Sequence, residues 1–389
     1  MADPDAYGLT TDDRRLEPFD WFREMRERGP VHRNPRNDRW DVFGYDAATT
    51  VLRDHERFSS DTPFDSDRLG LLDDTIVNLD PPRHGKLRST VEDYFREEHV
   101  RTLEPRVREL VGQVLADVEG PQFDVVEAVA RPLPNLVIAD LLGIPLEDRE
   151  RFLSWCDALT RLEVDSTDER RRAQREAGQQ MAAYMTEQIQ RRRERPREDL
   201  LSVLVESEVD GEPLSTGDVL GFAALFLIAG NITTTGLLTN AVRSFAERPR
   251  LFEDLADDPE ALATAVEEVV RYRSPASAVS RAATTDTELC GRQVDAGDHV
   301  VVRLLAANHD PARFEDPDSF VPDRSPNPHL GFGHGIHNCI GAALGRLEAR
   351  VALSELLDRF DVRAVHDGDL TPVRNTFMHA VHSLPVEVR

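Results

Sequence analysis

Two stretches carry helical apolar spacing most clearly. From Ala342 onward, Leu344, Leu347 and Val351 recur at three- and four-residue steps, and Leu353, Leu356 and Phe360 continue them, which predicts an amphipathic helix. Residues 214–245 are apolar nearly all round and read as a long buried helix, with Ser215 or Thr216 as N-cap. Further helices are expected at 16–28, ended by Gly29-Pro30, at 46–52, through 95, at 105–118, 147–162 and 167–195, and around Glu267–Tyr272, ended by Ser274-Pro275. Residues 124–142 are helical but bent or broken by Pro132 and Pro134. Short strands are expected at 31–32, 40–43, 289–294 and 299–304 and again after Phe360, whereas 58–75 is turn-rich and weakly patterned. The pattern is that of a mainly α chain with small β-sheets.

Composition narrows the function. The 389 residues hold 72 Asp and Glu against 47 Lys and Arg, a net charge of −25, which makes nucleic acid an unfavourable partner. Lys86 is the one lysine, so nearly all basic residues are Arg. An acid excess of this size self-repels at low salt and is screened at high salt, which points to a salt-adapted, halophilic cytoplasm. Three Cys, an odd number in a large chain, argue for a reducing cytosol rather than a disulfide framework. Residues 1–10 are polar and lack the features of a signal peptide, and the longest apolar run, 219–228, is too short and interrupted to span a bilayer.

The chemistry centres on Phe332-Gly333-His334-Gly335-Ile336-His337-Asn338-Cys339-Ile340-Gly341, or F-G-x-G-x-H-x-C-x-G. Its glycines allow a tight turn with positive φ, and Cys339 falls just before a helix, where backbone N–H groups and the helix dipole favour a thiolate. A small buried hydrophobe is the ordinary reading of a lone Cys, and it suits Cys156 and Cys290. Zinc held by His337 and Cys339 needs further ligands at finger-like spacing. A single thiolate on a glycine-rich loop fits haem iron. Elsewhere, His84 and Arg88 share one helix face, as a solvated pair or as two hydrogen-bond donors toward a carboxylate. Gly230 interrupts the long apolar helix beside a row of Thr, whose hydroxyls can bond back one turn and distort it. Glu268 and Arg271, three apart, suit a structural ion pair.

The ten-residue Cys stretch resembles the haem loop of the cytochromes P450, the haem-thiolate monooxygenases, and four further motifs agree with it in order. The resemblance implies one domain over residues 1–389, with haem b (iron protoporphyrin IX) between the long Thr-containing helix and the Cys loop. Cys339 would be the metal ligand, with Phe332 beside the sulfur and the N–H groups after Cys339, including that of Gly341, tuning it. His84, Arg88, Arg281 and His337 would anchor the haem propionates. Ala229-Gly230-Asn231-Ile232-Thr233 matches A-G-x-acid-T, with Ala229 over the haem and the Thr233 hydroxyl helping to deliver protons. Here Ile232 replaces the acid, leaving Asn231, waters held by Thr233 and Thr234, or the substrate as substitutes. Glu268, Arg271 and Arg324 match a structural triad, although Val321 stands where the family usually has an acid.

By the same resemblance the activity is O2-dependent oxidation of a lipophilic small molecule, with Phe222, Leu225, Phe226, Ala229, Ala278 and Val279 toward the substrate. Residues 58–75 and 153–162 would cover the pocket, and 378–385 would dip into it. Electrons would come from a ferredoxin and its reductase, docking near Arg346, Arg350 and residues 101–108. A monomer is the family's usual form, and the N-terminal anchor of membrane-bound relatives is not expected here. Ile232 leaves a peroxide-driven or other non-monooxygenase haem-thiolate enzyme as the rival reading, with a non-catalytic haem protein as a third.

Overall fold

The computed structural model describes residues 8–34, 36, 38–62, 75–160, 168–248, 250–366 and 370–389. The helices that position the site are α1 (Arg83–Glu92), α2 (Pro132–Leu141), α3 (Arg149–Thr160), α4 (Asp168–Glu194), α5 (Thr216–Ala246), α6 (Pro259–Tyr272) and α7 (Ala342–Arg359). The strands are β1 (Val31–Asn34), β2 (Arg39–Val42), β3 (Phe58–Ser59), β4 (Gln122–Asp124), β5 (Val279–Ala283), β6 (His299–Val302), β7 (Val362–Val365) and β8 (Pro385–Val388), with two short hairpins besides. One sheet has the order β1-β2-β6-β5-β3, antiparallel throughout except for the parallel β2–β6 pair. A second, antiparallel sheet has the order β7-β8-β4 and ties the C-terminus to the segment before α2.

The long helix α5 is the axis of the molecule. Ser215 caps it through a reciprocal pair with Asp218, which satisfies two N-terminal donors. It is long and apolar enough to cross a membrane, contrary to the shorter run read from the sequence, but it is buried against α2, α3, α4, α6 and α7. Lost contact with water, rather than helix propensity, explains its apolar surface. The expected bend before α2 is a five-residue π-turn at Val126–Ala130, and Pro132 then takes the first position of α2, where its missing N–H costs nothing.

Two further helices, Leu200–Glu206 and Leu251–Ala256, lie where the sequence pattern was too short to assign. The strand expected at 299–304 stops at Val302, and Leu304–Ala307 turns helical and buried. The stretch expected to cover the pocket falls largely on residues 63–74, outside the described residues, as does the end of the expected 147–162 helix.

The predicted triad is a buried network. Glu268 and Arg271, both fully buried, are joined by two bonds of 2.8 Å, and Arg324 Nε lies 3.1 Å from each Glu268 oxygen. Val321, which stands in place of the usual acid, contributes its backbone N–H to Glu268 at 2.9 Å, and Asn327 adds a fourth donor. Arg271 also donates to the Asn308, Pro317 and Ser319 carbonyls, so the pair pins the irregular meander that leads to the Cys loop.

Candidate active site

The Cys loop is closed by its own backbone. Cys339 N donates to Phe332 O at 2.8 Å, across two glycines with φ of 73° and 72°. A side chain at Gly335 would place its Cβ 2.5 Å from the Leu52 carbonyl, so both conformation and space exclude any other residue there. Gly341 has negative φ and nothing near its missing Cβ, so no protein contact requires it; that side of the loop is open. Burial pushes the Cys339 thiol up, while the Gly341 N–H, Arg88 and Arg346 pull it down. Yet the side chain is accessible: it lies deep among protein atoms but faces a cleft.

The Thr row lies on α5. In this otherwise buried helix Ala229 is exposed and Thr233 half-buried, one turn apart, which leaves an accessible stripe there. Thr233 Oγ1 donates to Ala229 O at 2.6 Å, the back-bond anticipated from the Thr row. Gly230 has a packing reason, since a Cβ would sit 3.2 Å from Ile138 of α2. Thr234 is buried beside the stripe.

Along one edge of the cleft, His84, Arg88, Arg281 and His337 converge. The His84 and His337 rings lie 4.2 Å apart, and each has a buried Nε2 without a partner. Arg281 is buried and, among the described residues, bonds only the neighbouring Ser280 carbonyl; burial pushes it down to about 10. Burial, with Arg281, His84 and Arg88, pushes His337 down to about 3. Asp80, the acid that acts on Arg281 and His84, is already held by Ser59 and the Ser60 N–H. Orphaned buried donors and cations beside an open cleft constitute a site for anions, as a haem's two propionates would supply. His55, not singled out in the sequence, adds to the same field. Among the described residues no cluster of His, Cys, Asp and Glu could complete a zinc site.

The chain belongs to the cytochrome P450 family. The family model named Cytochrome P450 matches residues 35–389. The chain is 38% identical to the putative cytochrome P450 YjiB of Bacillus subtilis, over 95% of this chain and 94% of that one. It is 40% identical to the erythromycin C-12 hydroxylase of Saccharopolyspora erythraea, over 90% and 89%. The corticosterone complex of CYP109E1 from Bacillus megaterium superposes with a TM-score of 0.89 at 36% identity, covering 96% of this chain and 99% of that one. The fold is therefore the cytochrome P450 fold, and the chain is a P450 monooxygenase.

Within that P450 frame, three expectations need correction. Asn231 does not face the cleft: its amide donates to Asn135 of α2 at 2.6 Å, and both are buried. Phe222 and Phe226 stack on each other, and Phe226 packs on Phe95, so they belong to the core under α1; the adjacent helical phase lines the cavity instead. The Arg residues expected to attract a partner are already paired: Arg101 with Glu97, Arg108 with Glu104 and Glu355, and Arg346 with Glu267. Among the described residues Arg350 alone of that set has no ion pair.

The Arg346 pair was missed because its partner is 79 residues away. Arg346 donates twice to Glu267, which also accepts from His329 and is held down to about 2 by these partners against its burial. The Arg346 guanidinium lies 4.3 Å from the Phe332 ring centroid, so this chain of contacts fixes the face of the Cys loop. The C-terminal turn packs on the segment after α6: Met378 pairs with Ala276, and the His379 N–H donates to Pro275 O.

Proposed function

We propose that this P450 holds haem b and uses O2 with electrons from an external ferredoxin and its reductase to hydroxylate or otherwise oxidise a lipophilic small molecule. The observation that carries the reading is the accessible Cys339 thiol on its glycine-turned loop, together with the buried Arg281 and the partnerless Nε2 atoms of His84 and His337. When bound, the haem iron supplies the oxygen-activating chemistry. Cys339 would hold it, with the Gly341 N–H and the Arg346 and Arg88 charges favouring the ionised sulfur. His84, Arg88, Arg281 and His337 would neutralise the propionates. Thr233 would hold a water or proton at its Oγ1 on the cleft side, and the buried Thr234 would support that stripe.

A cytoplasmic, halophilic and monomeric protein fits the acid excess. Turnover of a bound lipophilic compound with reduced ferredoxin and O2, absent without the donor, is the result expected.

One observation favours a second reading, that of a peroxide-driven enzyme. Ile232 is buried and apolar where the family carries an acid, and Asn231 is turned away, so neither side chain can pass a proton to Thr233. Product formed with hydrogen peroxide alone, at rates above those with ferredoxin and O2, would favour it.

A further inference from the structure

A cavity of about 440 Å³ lies between α3, α4 and the first half of α5. Its walls are apolar along most of their length, with Phe152, Met181, Met185, Ala224 and Leu227 among them. The lining runs along α5 from Asp218 to Ile228, next to the exposed Ala229. Its α5 wall is cut low by Gly217 and Gly221, where a Cβ would meet its nearest atom at ordinary contact distance, 3.6 and 3.4 Å. Charge is confined to the outer end, where Arg83 at the start of α1 meets Asp218.

The two charges at that end are not equally available. Asp218 Oδ2 is taken by the Ser215 hydroxyl and N–H, and Oδ1 accepts from Arg83 Nη2 at 3.1 Å. Among the described residues Arg83 makes that single bond, through Nη2, and uses neither Nε nor Nη1. A guanidinium has five N–H donors in a planar fork, whose geometry suits a carboxylate. The free valence at the mouth of this apolar cavity is therefore for an anion, not for a cation.

The length of the cavity sets the size of the molecule. Eleven residues of α5 separate Asp218 from Ala229, which is about 16 Å at the helical rise. An extended alkyl chain gains roughly 1.25 Å per carbon from its bond length and tetrahedral angle, so about 13 carbons cover the distance. We infer that the substrate is a long-chain carboxylate, held by Arg83 through its carboxylate, with its far carbons delivered to the stripe beside Ala229. The inference rests on the haem-thiolate reading of that stripe.

The test is calorimetric titration of the haem-loaded protein with tetradecanoate and with tetradecanol, in wild type, Arg83→Gln and Arg83→Lys, at high salt. Arg83 is more than half exposed, so neither substitution disturbs the core. The wild type should bind the carboxylate at least tenfold more tightly than the alcohol. Arg83→Gln should abolish that preference without changing alcohol affinity, and Arg83→Lys should restore part of it. Equal affinities in the wild type, or a preference that survives Arg83→Gln, would overturn the assignment. The carbon monoxide spectrum of the same samples separates the two claims: a thiolate signature without carboxylate preference defeats only the anchor, and a missing signature defeats the haem reading instead.

Discussion

Asn231 of α5 donates to Asn135 of α2 at 2.6 Å, and both side chains are buried. The residue after it, Ile232, is apolar, so the run that carries Thr233 has no acid of its own. Ile232→Glu should therefore raise the fraction of electrons that reach product several-fold, with the remainder appearing as hydrogen peroxide. Paired assays of product and peroxide check it. Unchanged partitioning would mean that protons already arrive by another route.

The Glu268–Arg271 pair is fully buried and shares its acid with Arg324, Asn327 and the Val321 N–H. Removing one partner leaves the other charge buried and unpaired. Arg271→Ala should cost about 3–5 kcal/mol of stability and release the meander before the Cys loop. Denaturant titration, together with haem retention on a desalting column, gives the measure.

Glu348 of α7 is buried, its Oε2 has no partner, and burial pushes its carboxyl up to about 8. In the folded state it is therefore protonated at neutral pH, whereas in the unfolded chain it ionises in the ordinary carboxylate range. A group whose folded value is raised gives stability that is full below the unfolded value and lost as pH rises through the folded one. Stability should thus fall between about pH 5 and pH 8, by at most about 1.4 kcal/mol per pH unit from this group. Glu348→Gln should flatten that slope, as seen in melting curves across the range.

Melting temperature should rise from dilute buffer to molar KCl, because the excess of acids over bases repels across the surface. Of the Arg residues expected to meet a donor, Arg101, Arg108 and Arg346 are internally paired and offer it little free charge. Reduction by an acidic ferredoxin should accordingly speed up with salt. Slowing on salt addition in stopped-flow would show that the internal pairs open for the partner.

The parts of this protein that were legible in the sequence share one property: they are local. The Cys loop, the back-bonding Thr row and the E-x-x-R spacing each lie within one turn or loop, where steric and hydrogen-bond rules act on neighbouring residues. Phe222 and Phe226 were assigned to the wrong face because a helix apolar all round gives no phase to read; only Phe95 and the cavity decide it. Glu267 looked like an ordinary helix acid until Arg346 and His329 met it in space. Arg101 and Arg108 likewise seemed available because the acids that neutralise them were counted as surface charge.

The central claim is that Cys339 is the axial ligand of a haem. The most direct measurement is the optical spectrum of the dithionite-reduced protein under carbon monoxide in high salt. The account predicts a Soret band at the red-shifted position of thiolate-ligated haem, lost in Cys339→Ser. A band at the histidine-type position in the wild type, or no haem band at all, would contradict it.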